Sequence, residues 1–232
     1  MINLGEERHM EASITHTRKE SMVRSHLFLR RTMGILGIAL PFTLLYVGMM
    51  FHTEPQASVS DYFHTNMQRV FVGVIVTFGL FLIAYTGYHR HDNLLGNFAG
   101  FCALGIVIFP TTPSCATRIE EIVGIIHLAC AGLFFVSLMI FSVHFFRKGK
   151  GDPGQRKKHR NRIYLGCGIL MGLSILLIAT HKLLEFPAYE HSVFWLEAVA
   201  LVAFGISWLI KGKFIIADVE DQEAVFAAGT QE

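Results

Sequence analysis

The sequence is short of charge. Only 16% of its 232 residues are Asp, Glu, Lys or Arg, where a soluble domain carries roughly 25%. The charges are clustered, leaving long stretches with almost none, a pattern that does not make a soluble globular surface. No segment alternates apolar and polar residues with a period of two over ~10 residues, which excludes a membrane β-barrel. The four cysteines form no CxxC pair. Cys102, Cys130 and Cys167 lie inside apolar runs and read as small buried hydrophobes, and only Cys115 falls in a loop. The first apolar run is followed by no small-residue cleavage site and is too long for a signal h-region, so it is expected to stay as a signal anchor.

What is present in quantity is apolar. Hydrophobic residues make up 52% of the chain and the mean hydropathy is +0.45. They fall in runs of the ~20 residues needed to cross a hydrocarbon core about 30 Å thick. The runs predict spans at 32–52, 67–88, 93–110, 121–146, 161–184 and 193–212. The expected fold is therefore all-α, a polytopic transmembrane bundle of six helices. Short connections make consecutive helices antiparallel neighbours. The chain divides into a tail at 1–31, the transmembrane domain at 32–212 and a tail at 213–232, with the acidic end expected to be disordered beyond Asp218. Pro41 is expected to kink the first span. Gly96-x-x-x-Gly100 and Gly168-x-x-x-Gly172 are spaced for close helix contacts, and Trp195 and Trp208 for anchors at opposite ends of the last span.

The basic residues set the orientation. The two tails, Lys211 at the end of the last span, Arg90 and the segment RKGKGDPGQRKKHRNR together hold 17 of the 20 Lys and Arg. Arg69, Arg118 and Lys182 are the three on the other side. The positive-inside rule places both termini in the cytoplasm. The run at 147–162 reads as a topology determinant and secondarily as a contact for anionic lipid headgroups. Its position between spans argues against nucleic acid as a partner.

The opposite side collects polar side chains. The first outer loop contributes Ser58, Ser60, Asp61 and His64, with Glu120, Glu121, Glu185, Glu190 and His191 nearby. His127, His181 and Glu197 lie at similar depth within or at the ends of three different spans. Glu120, Gly124, His127 and Ala131 form one helical stripe. Ser174 and His181 share a face, as do Glu190 and Glu197. Ionisable groups facing lipid are costly, about 2.5–3.5 kcal/mol for charged types, so these stripes are expected to face inward. The expectation is an outward-open polar cavity lined by His127, His181 and Glu197, with the first outer loop as its lid. Ser58, Ser60 and Asp61 join these three as ligand-binding candidates.

Four functions fit that pattern. The first is a non-catalytic protein that binds a small molecule or lipid headgroup, as a sensor or accessory subunit. The second is a metal-dependent lipid hydrolase, with zinc on His64, His127 and His181 and Glu197 as general base on the metal-bound water. The third is a transporter, although the sequence has no inverted repeat or clearly broken helix. The fourth is a b-type haem protein using His64 and His127 outside or His89 and His144 inside. His127 and His144 are separated by about 25 Å of helix.

Residues SVSDYFHT (58–65), PTTP (110–113) and VFWLEAVALVAFGISWLIKG (193–212) resemble a family of bacterial six-span membrane proteins with a Ser-x-Ser-x-Tyr outer loop before the second span. This resemblance covers most of 32–212 and implies a bacterial inner-membrane location, but no activity. Ser60-Asp-Tyr-Phe-His64 also resembles the Ser-x-x-x-His element of the ceramidase and progestin/adiponectin-receptor superfamily of membrane metal hydrolases. That resemblance implies a metal site. The chain departs from the superfamily in having no His-x-x-x-His in its last span and six spans instead of seven.

Overall fold

The computed structural model describes residues 4–85, 90–148, 155–184 and 191–213, with side chains for these except 4–22 and 183. Glu185, Glu190, His89 and the acidic tail discussed above lie outside the described residues. Within them all regular structure is helical, with no strand. Helix α1 (Leu4–Phe42) continues through a π turn at Thr43–Val47 into Gly48–Met50. A 3-10 turn at Ser60–His64 precedes α2 (Gln68–Ala84). Then come α3 (Arg90–Ile108), α4 (Arg118–Ile140, extended by a π turn at Phe141–Phe145), α5 (Gln155–Leu184) and α6 (Ser192–Lys211).

Among the described residues four segments are long and apolar enough to cross a membrane: Val23–Met50, Arg118–Phe145, Gln155–Lys182 and Ser192–Lys211. Helix α2 is apolar but shorter, and α3 opens on the polar Arg90-His-Asp-Asn. Large side chains such as Leu165, Ile169, Leu173 and Leu176 of α5 stand exposed along the outside of the bundle. An apolar surface of that extent suits lipid and would be a liability in water.

The helices form a ring in the order α1, α6, α5, α4, α3, α2, with α2 returning to α1. Phe78 of α2 reaches across the middle, its ring 6.5 Å from Phe134 of α4 and 5.5 Å from Phe204 of α6. Glycines decide which helices come closest. A Cβ on Gly100 would lie 2.7 Å from the Gly79 carbonyl, and one on Gly96 would lie 2.9 Å from that of Leu82. The first Gly-x-x-x-Gly pair therefore lets the α3 backbone rest on α2. At the α1–α6 crossing the corresponding pair is Gly34 and Gly205, at 2.6–2.8 Å from each other's carbonyls.

Of two local features, one departs from expectation. Pro41 lies inside α1 and is followed at once by the π turn. The hydrogen bond a proline cannot make is accommodated by a change of helical register. Trp208 is no interfacial anchor, because it is fully buried, whereas Trp195 is 49% exposed.

Candidate functional site

At the end of the bundle away from the basic segments, the first loop folds down onto α6. Ser58 Oγ accepts the Asp61 N–H at 3.0 Å and so caps the 3-10 turn from its own strand of chain. The start of the same turn is held from another helix. Glu197, one turn into α6, accepts the Val59 N–H at 2.7 Å, and the Ser60 N–H also bonds to it. Two further bonds complete the strap. Phe194 N–H donates to the Ala57 carbonyl at 2.8 Å, and His191 Nδ1–H donates to that of Gln56 at 3.2 Å. Tyr62 is fully buried with its ring 6.1 Å from Phe194, and burial pushes its phenol above the ordinary tyrosine range. The loop is thus a fitted cover with its own core residue.

Under it lies a cavity of about 20 Å³, room for about one water. Ser60 and Glu197 are its polar wall, and Ile75, Phe134 and Leu201 are among the apolar residues around them. Asp61 is half-buried, and its charge is felt by both Glu197 and His127. Four of the expected site residues, Ser58, Ser60, Asp61 and Glu197, therefore come together.

The histidines are used differently from the expectation. His127 is buried, and its Nδ1–H points between the carbonyls of Ile106 and Phe109, at 3.1 and 2.8 Å. These belong to the open end of α3, where carbonyls have no partner within their own helix. A carbonyl only accepts, so the bond sets Nδ1 as the protonated nitrogen. His64 is exposed on the rim, where its Nε2–H donates to the Thr111 carbonyl at 2.8 Å. His181 is half-buried in the last turn of α5, and neither it nor His127 lines the cavity. Glu120, at the head of the His127 stripe, is exposed. It forms a capping box with Thr117, whose N–H donates to Glu120 Oε2 at 2.6 Å.

The structure does not support the zinc assignment of His64, His127 and His181. Among the described residues no group of three His, Cys, Asp or Glu side chains is placed to hold a metal ion. His64 and His127 are instead each turned toward backbone carbonyls. Glu197, expected as general base on a metal-bound water, has its carboxylate bonded to the loop backbone. Val59 and Thr111, which complete these contacts, were invisible as site residues in the sequence. Their backbone groups do the work, and backbone groups carry no sequence signal.

Comparison of the chain with family models, curated proteins and solved structures finds no match.

Proposed function

We propose that the protein crosses the bacterial inner membrane six times, with both termini in the cytoplasm. In this reading it binds a small ligand or lipid headgroup at the loop end and carries out no chemistry of its own. A sensor or accessory subunit works this way. The observation that carries the reading is the Glu197 carboxylate, which holds the Val59 N–H over a cavity too small for more than a water. A ligand with hydrogen-bond donors, such as an amine headgroup, would take the place of the Val59 and Ser60 N–H groups on Glu197. Asp61 nearby adds negative charge for it. Binding would then release the loop, which converts occupancy into a change of surface. The hydrolase reading has less support, since its three histidines are not assembled.

The test compares full-length protein in nanodiscs of phosphatidylcholine with and without phosphatidylethanolamine. Phosphatidylethanolamine is expected to raise protease cleavage of 52–58 in the wild type and to leave Glu197→Gln unchanged. Equal cleavage of the wild type in both lipids, or an equal response in the variant, would sink the headgroup reading.

A further inference from the structure

The opposite end of the bundle gathers positive charge around buried aromatic rings. Arg30 of α1 stands with its guanidinium 5.4 Å over the Tyr85 ring, and its Nη2 donates to the Tyr85 hydroxyl at 3.4 Å. Lys211 of α6 stands 5.4 Å over the Phe146 ring and donates to the Phe146 carbonyl at 3.4 Å. Lys211 also feels the charges of Arg30, of Arg160 on α5 and of Asp92 on α3. Cations from three helices therefore stand close enough for Lys211 to feel the other two, and Asp92 beside it is only 4% exposed. Trp208 forms the floor, with Tyr85 at 5.4 Å and Phe146 at 5.3 Å between ring centroids.

Two N–H groups there have no acceptor: Arg30 Nε and Trp208 Nε1, both buried, the tryptophan completely. A buried donor without a partner costs about 1–3 kcal/mol. Like charges held near apolar rings repel more strongly than they would in water. One group relieves both at once: an anion with several acceptor oxygens. Arginine and lysine are the side chains that bind phosphate best. We propose that this end of the bundle holds a phosphate-bearing anion between α1, α5 and α6, the headgroup of an anionic phospholipid. Exposed Ile35 follows Arg30 on α1, and exposed Leu165 and Ile169 follow Arg160 on α5, on the side where acyl chains would lie below a headgroup. A zwitterionic lipid fits worse, because its choline brings a further positive charge beside Arg30 and Lys211. This site is separate from the Glu197 pocket and does not rest on the function proposed for it.

The test uses purified full-length protein in neutral detergent. It is titrated with short-chain phosphatidylglycerol, short-chain phosphatidylcholine and inorganic phosphate. Binding is read by native mass spectrometry and by the melting midpoint. Phosphatidylglycerol is expected to bind and raise the midpoint, and phosphatidylcholine to do so much less. Lys211→Met and Arg30→Gln should each weaken binding at least about tenfold, the ratio for loss of a hydrogen bond to a charged group, while Lys211→Arg retains it. Trp208→Phe keeps the ring and deletes only the donor, so it carries the test if a charge variant fails to fold. It should weaken binding several-fold. If inorganic phosphate reproduces the effect at the same residues, the phosphate site stands with a soluble source. Equal binding of both lipids, or wild-type binding by Trp208→Phe, overturns the proposal.

Discussion

Two ionisable residues deep in the loop end act on backbone, and their removal has calculable consequences. His127→Ala leaves the Ile106 and Phe109 carbonyls at the end of α3 without their donor. The expected loss is about 1–3 kcal/mol, the cost of an unmet buried polar group, read from reversible unfolding in mixed micelles. His127→Asn restores a donor, though on a shorter side chain, and should recover part of the loss. A result in which alanine and asparagine are equally stable to the wild type would mean that the histidine does not serve the helix end. Ser58 and Asp61 belong to the same scale, for the hydroxyl that caps the turn also fixes where the aspartate stands.

Among the elements, the glycine contacts separate crossings that need a missing Cβ from positions that do not. Gly205→Val would drive a branched side chain into the Gly34 carbonyl and Ile38 and should destabilise by roughly 1–3 kcal/mol or more, as overpacking does. Gly132→Val meets nothing within 4 Å and should be close to neutral. Parallel unfolding of the two variants checks this, and equal effects would refute the close-contact account. The apolar helices were legible in the sequence because apolar runs state their own length: the run read at 193–212 is the helix Ser192–Lys211. The α2–α3 contact was half visible through Gly96 and Gly100. The Gly34–Gly205 crossing was not, since each glycine needs a partner 171 positions away in the chain and no local spacing reports it. For the same reason the depths of His127 and Glu197 could be read but their partners could not. A stripe tells which way a side chain faces and says nothing about whether it meets metal, water or a carbonyl.

For the whole molecule, the native cysteines already provide a sidedness probe. Cys115 is exposed in the α3–α4 loop, whereas Cys102 and Cys167 are buried and Cys130 is partly so. If both termini are cytoplasmic as proposed, a membrane-impermeant maleimide labels wild-type protein in intact cells through Cys115, and Cys115→Ser abolishes the signal. A cysteine at exposed Gln155 in a cysteine-free background should label only after permeabilisation. Labelling of position 155 from outside would invert the orientation. The loop position 58 suits this experiment poorly, since Ser58 is only 9% exposed.

The unbroken helix Leu4–Phe42 has a consequence of leverage. Its described side chains enter the bundle near Arg30 and Gly34, leaving residues 4–22, about 28 Å of helix at 1.5 Å per residue, ahead of the apolar segment. The headgroup layer is only about 5–8 Å deep on each face, so such an arm reaches well past it. A rod that is one piece with the first span turns and tilts with that span. Any load hung on its tip works through a lever arm whose fulcrum is the glycine crossing with α6, the same helix that carries Glu197 at its far end.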